Sequence, residues 1–224
     1  MTVIFFDLDN TLVDRFETVV AYADVFRRDF SSALQDSVTT PMLAEAFNRL
    51  DKGGYSTHEI RSREIAALPI WLHPVEPKTL LDHWQNWVPF NPVAKAGLSE
   101  VLTLLKQDQY RLCLVSNGTS RNQRAKLQNL GIEDYFEQVI ISEEVNVKKP
   151  HIDIFNLSLQ LMGCTAQESL FVGDHPVNDV WGAEQAGMLP VWFSGSITWP
   201  DDQPQPQHSI RSLDELPALL NLNL

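Results

Sequence analysis

Asp7 and Asp9 stand two residues apart directly behind the apolar run Val3-Ile4-Phe5-Phe6, and Thr11 follows at the same spacing. A run of β-branched and aromatic residues reads as a buried strand, and the carboxyl ends of such strands are where open α/β sheets hold ligands. Side chains alternate along extended chain, so the two carboxylates are expected to lean the same way and share one ligand. Two like charges so placed need a cation, and Mg²⁺ is the expected one. Taken alone, Asp-x-Asp after a strand also makes a capped turn, so the reading depends on three later segments.

Val115-Ser116-Asn117-Gly118-Thr119 places a hydroxyl and backbone N–H groups where a strand ends and a helix begins, an arrangement suited to an anion. Val147-Lys148-Lys149-Pro150 puts two lysines in a loop before another helix, with Pro150 fixing the local chain direction. Phe171-Val172-Gly173-Asp174 brings a carboxylate to a third apolar run, and Asp179 enters the helix behind it. Each segment has an ordinary structural explanation as a turn, a solvated lysine pair or a cap. Their common placement at strand ends is what points to chemistry.

The elements that must position these residues follow from periodicity. Residues 14 to 87 hold no convincing strand. Val19, Tyr22, Ala23, Phe26 and Phe30 recur at helical spacing, as do Leu43, Ala46, Phe47 and Leu50, and Leu80, Leu81, Trp84, Trp87 and Val88 form another apolar face. From Asn91-Pro92 onward, helices expected over 93–106, 121–130, 152–162 and 178–186 alternate with strands over 111–115, 138–141, 170–172 and 191–193. That alternation predicts a parallel sheet with right-handed crossovers. Ser120 and Gln123 are expected to form a capping box, residues 198–208 a loop, and 213–220 a last helix. The fold class is therefore α/β: a Rossmann-like parallel sheet flanked by helices, made of residues 1–13 and 92–224, with an all-helical insert over 14–91. An insert at that point is expected to hang over the ligand crevice as a lid.

Together the four segments resemble those of the haloacid dehalogenase-like (HAD-like) hydrolase superfamily, whose members mostly transfer phosphoryl groups. Asp7-x-Asp9-x-Thr11 is similar to its first motif, Ser116 to its second, Lys149 to its third, and Asp174 with Asp179 to its acidic fourth; the insert is similar to its small helical cap. Asn10 departs from the glycine often found there. The resemblance implies that Asp7 attacks phosphorus to form an aspartyl phosphate, while Asp9 protonates the leaving oxygen and then takes a proton from water. It implies Mg²⁺ held by Asp7, the backbone carbonyl of Asp9 and Asp174, with Asp179 orienting a bound water or Lys149. Lys149 would neutralise charge, with Lys148 as a weaker alternate. Thr11, Ser116, Asn117 and Gly118 would receive the phosphoryl group. A carboxylate nearing a phosphate meets repulsion of about 4 kcal/mol per unit-charge pair at about 4 Å and an effective dielectric near about 20, so such cations are required.

Carbon–halogen cleavage is a rival reading, but a halide leaving group needs no proton and leaves Asp9 without a task. A phosphomutase would use the same phosphoenzyme, and a receiver-like phospho-switch clusters similar groups without needing Asp9 or a cap. The substrate is expected to be a small or medium phosphomonoester, selected by cap residues among Arg15, Phe16, Tyr22, Gly53, Gly54 and Tyr55. Resemblance to bacterial flavin mononucleotide and ribityl-phosphate phosphatases suggests a place in riboflavin biosynthesis, with nucleotide and sugar phosphates as substitutes. The formal net charge of -12 argues against nucleic acid and anionic membranes as partners. A monomer or weak homodimer is expected. With an early Asp7, no basic leader and two cysteines read as reduced, the expected location is the cytoplasm. None of the histidines, His175 included, has metal-ligand spacing.

Overall fold

Among the residues described by the computed structural model, 2–202 and 204–221, six strands form one parallel sheet. They are β1 (Val3–Phe6), β2 (Arg111–Ser116), β3 (Gln138–Ile141), β4 (Ser169–Gly173), β5 (Leu189–Phe193) and β6 (Ser209–Ile210), in the order β3-β2-β1-β4-β5-β6. β1 lies between β2 and β4, with Phe6 opposite both Leu114 and Val172. The chain order reverses there, which is where open α/β sheets form their binding crevice. β6 was not expected from the pattern: Ser209 and Ile210 pair with Trp192 and Phe193, a stretch too short to show a period. The loop expected over 198–208 includes Gln203, which lies outside the described residues.

By backbone contacts the chain divides into two units, Met1–Val13 with Ala94–Leu224, and Asp14–Val93. The second is helical: α1 (Arg15–Asp29), α2 (Thr40–Asp51), α3 (His58–Ala66) and α4 (Pro77–Trp87). Asp14, Thr39 and Thr57 cap the first three through their side-chain oxygens. Tyr22, Phe26, Phe47 and Trp84 fill its core, the Tyr22 and Trp84 rings 4.7 Å apart. Tyr22 is wholly buried and bonds to His83 Nδ1 at 2.9 Å, so the expectation that it faces a ligand is corrected. Arg15 is also buried: Asp51 accepts its Nε at 2.6 Å and the Arg61 guanidinium at 2.8 Å. Phe16 and Tyr55 are exposed.

The sheet is covered on both faces by α5 (Leu98–Gln107), α6 (Ser120–Leu130), α7 (Ser142–Val145), α8 (Ile152–Met162), α9 (Gly182–Gln185) and α10 (Glu215–Leu220). Alternation along the strands divides the core. Ile4, Phe6, Leu112, Leu114 and Val172 pack with Leu102 and Leu105 of α5 and Leu216 of α10. Val3, Phe5, Cys113, Val115 and Phe171 pack with Ile154, Phe155 and Met162 of α8. Cys113 and Cys164 are free thiols, and burial pushes the Cys113 thiol up, which keeps it unreactive.

Several expected boundaries move. α5 begins at Leu98 rather than 93, because Ala94 bridges to Val13, Lys95 donates to the Leu12 carbonyl, and Gly97 takes φ +74°. In place of one helix over 178–186, Pro176–Trp181 forms a π-helical segment that runs into α9. No helix among the described residues is long and apolar enough to cross a membrane.

Candidate active site

Asp7 is the first residue past β1, where its N–H still donates to the Val172 carbonyl at 2.9 Å. That bond carries the β1–β4 pairing one step further and fixes where the side chain leaves the sheet. Thr11 Oγ1 donates to Asp7 Oδ2 at 3.1 Å, and Lys149 Nζ donates to Asp7 Oδ1 at 2.7 Å. The same ammonium donates to Asp179 Oδ1 at 2.7 Å, and Asp179 Oδ2 accepts the His175 N–H at 2.9 Å. Gly173 makes this packing possible: a Cβ there would stand 2.5 Å from the Asp179 side chain.

Asp174 follows directly behind β4. It is fully buried, and neither carboxylate oxygen has a hydrogen-bond partner. An orphaned carboxylate of this kind demands a ligand or a proton. Carboxylate oxygens of Asp7, Asp174 and Asp179 lie within 4.8 Å of one another, an all-oxygen donor set suited to a hard divalent cation. The residues thus fit Mg²⁺. Burial, joined by the charges of Asp7 and Asp179, pushes the Asp174 carboxyl up. Burial also raises Asp7, with Lys149 pulling the other way and Asp179 adding to the rise. Burial works against the charge of Lys149, yet Asp179 and Asp7 together hold it above the ordinary lysine range, so it stays an ammonium.

The second-strand residues serve more as scaffolding than expected. Asn117 Nδ2 donates to the Lys149 carbonyl and Asn117 Oδ1 accepts the Lys149 N–H, both at 2.9 Å. The Ser116 hydroxyl accepts from Gln123 Nε2 at 2.6 Å, leaving its own hydrogen as the donor. The Gly118 N–H, expected to face an anion, donates instead to Ser142 Oγ at 3.0 Å. Lys148, expected as a weaker alternate, is exposed, and it is Lys149 whose ammonium reaches Asp7 and Asp179. His175 Nδ1 accepts the N–H groups of Val177 and Asn178 at 3.1 Å and so caps the π-helical segment.

Asp9 is the main departure. The chain leaves extended geometry behind β1, with Leu12 and Val13 both donating to the Leu8 carbonyl and Asn10 at φ +63°. The Asp9 carboxylate therefore does not join Asp7 in the carboxylate group that would hold a cation. Asp9 Oδ1 and Oδ2 meet Lys126 Nζ at 2.7 and 2.6 Å, and its side chain is absent from the group of three carboxylates. Lys126 carries no mark in the sequence, and Gln123 none beyond the expected capping box. The capping box expected of Ser120 and Gln123 is replaced by a cap at Thr119, which accepts the Asn122 N–H. Trp192 was also missed; its indole N–H donates to the Asp174 carbonyl at 2.9 Å.

Comparison with known proteins adds to this geometry. A family model described as haloacid dehalogenase-like hydrolase matches residues 4–193. A glyceraldehyde 3-phosphate phosphatase of Pyrococcus abyssi is 33% identical over 203 residues, covering 85% of this chain and 80% of its own. A magnesium-bound HAD-hydrolase structure, YfnB of Bacillus subtilis, superposes with a TM-score of 0.75 at 23% identity, covering 98% of both chains. An L-2-haloacid dehalogenase of Xanthobacter autotrophicus gives a TM-score of 0.73 at 20% identity over 99% of this chain and 98% of its own. At these identities the two structures speak for the fold alone.

Proposed function

This chain belongs to the haloacid dehalogenase-like hydrolase family, and from that premise we propose that it hydrolyses a small phosphomonoester with Mg²⁺ through a phosphorylated Asp7. The observation that carries the proposal is Asp174, a buried carboxylate without hydrogen-bond partners, beside Asp7 and Asp179 and across from a lysine that both of these bind.

In this reading Asp7, Asp174 and Asp179 would hold Mg²⁺, together with the Asp9 backbone carbonyl that the family resemblance implies. When bound, the ion supplies positive charge that offsets the carboxylates and the phosphoryl oxygens. Asp7 is the nucleophile: one of its oxygens bonds to phosphorus as the phosphorus–oxygen bond to the alcohol breaks, and Asp9 gives its proton to the departing oxygen. Water then attacks the phosphorus, its proton goes to Asp9, and Asp7 is released with inorganic phosphate. Lys149 holds the Asp7 oxygen and stabilises charge on the transferring group. Thr11 and the Ser116 hydrogen serve as donors. Asn117 acts through Lys149, whose backbone it grips.

The fold does not separate this chemistry from carbon–halogen cleavage, since a dehalogenase shares it. The second carboxylate, Asp9, favours phosphoryl transfer because an alkoxide leaving group needs a proton.

For the substrate, the named activity of the Pyrococcus abyssi relative supports small phosphorylated metabolites as a class. Flavin mononucleotide rests on resemblance alone and is one arm of the test rather than the conclusion. The helical unit Asp14–Val93 is proposed as the selecting cap, with Phe16 and Tyr55 its exposed aromatic residues. The deciding experiment is phosphate release from triose, nucleotide, sugar and flavin phosphates with Mg²⁺ and with chelator. Chelator-sensitive turnover of at least one class is expected; no turnover of any, with folded protein and Mg²⁺ present, would overturn the reading.

A further inference from the structure

We propose that Lys126, aimed by Gln123, is the positioning residue for Asp9; this rests on Asp9 being the proton carrier of the reaction above. Both side chains lie on one face of α6, a turn apart, and both are buried, with Gln123 at 2% and Lys126 at 4% exposure. Lys126 Nζ reaches both Asp9 oxygens, at 2.7 and 2.6 Å, and donates to Gln123 Oε1 at 2.8 Å. Gln123 Nε2 lies 3.0 Å from Asp9 Oδ2 and 2.6 Å from Ser116 Oγ. The last carboxylate torsion of an aspartate is broad and two-fold when unconstrained. An ammonium across both oxygens would still let the pair swing together. Gln123 supplies the third point, tying Asp9 and Lys126 to the end of β2.

Two features show that the local chain is arranged around this contact. Gly118 takes φ +148°, and a Cβ there would stand 2.9 Å from Gln123 Cδ. Thr119 supplies the α6 cap, so the Gln123 amide is not spent on the helix terminus. A buried ion pair gains little net stability, because desolvation consumes most of the attraction. What this pair provides is the direction of a carboxylate, and proton transfer depends on direction and reach.

The test compares Lys126→Met, Lys126→Arg and Gln123→Leu with the wild-type chain on two substrates, a primary-alkyl phosphate and p-nitrophenyl phosphate, whose nitrophenolate leaves without a proton. For Lys126→Met, kcat/KM is expected to fall about 100-fold on the alkyl ester and less than about 5-fold on the aryl ester. Acid-quenched phosphoenzyme is expected to accumulate, since water activation uses the same carboxylate. Lys126→Arg should recover part of the alkyl-ester rate. Gln123→Leu keeps the test alive if Lys126→Met does not fold, because it removes no charge; it should show the same ester dependence more weakly. An equal fall on both esters, or no fall, overturns the positioning role. A wild-type chain that forms no phosphoenzyme with either ester would remove the parent reading, a result distinct from loss of the ester dependence.

Discussion

Asn117 holds Lys149 by both of its backbone polar groups, donating to the carbonyl and accepting the N–H at 2.9 Å each. The Lys149 side chain then spans from that anchor to Asp7 and Asp179. Asn117→Ala frees the loop and lets the ammonium drift. Turnover is expected to fall about 10- to 100-fold, the cost of a misplacement near 1 Å, while Mg²⁺ binding measured by calorimetry changes little. Unaltered turnover would show that the lysine keeps its place without Asn117.

Asp7→Asn should remove turnover below detection and leave the fold intact. The amide keeps the shape of the carboxylate, and Lys149 retains Asp179 as its counter-ion. Thermal unfolding by circular dichroism, beside a phosphate-release assay, checks both halves. Preserved turnover would end the nucleophile assignment.

Gly173→Ala tests how tightly Asp179 is packed. The added methyl meets the Asp179 Cβ, Cγ and Oδ2 at 2.5 Å, so the strand end or the buried carboxylate must shift. We expect a destabilisation of about 1 to 3 kcal/mol, the usual cost of overpacking, seen as a lower midpoint in denaturant. Activity should fall with it, because Asp179 is one of two carboxylates holding Lys149.

Mg²⁺ binding should release protons. Asp174 is raised by burial and by its carboxylate neighbours, and Asp7 is raised by burial against the pull of Lys149, so the metal-free site retains protons above the ordinary carboxylate range. The cation takes the ionised forms, so protons leave as it enters and affinity rises with pH. Calorimetry in two buffers of different ionisation enthalpy should detect the release, with weaker binding at mildly acidic than at mildly alkaline pH. Binding that strengthens as pH falls would contradict the assignment of these ligands.

Much of the site was legible because each segment announces a strand end. Asp7, Ser116 and Asp174 follow or close apolar runs with the composition of buried strands, and parallel strands present their carboxyl ends on one side of a sheet. Lys149 was legible only through its place before a helix and its resemblance to a known motif. Lys126 and Gln123 carried no such mark, since two polar residues a turn apart on a helix ordinarily face water. Trp192 reads as one more strand residue, and its bond to the Asp174 carbonyl depends on β5 lying beside β4.

By itself, the order of residues determined which groups stand at which strand ends, because the two-residue and 3.6-residue periods are local properties of the backbone. Only the folded chain decided which carboxylate meets which lysine. Lys149 reaches Asp7 from 142 residues away and Lys126 reaches Asp9 from 117. Those pairings follow from the turn at Asn10 that parts Asp7 from Asp9 and from strand order, which depends on contacts distant in the chain.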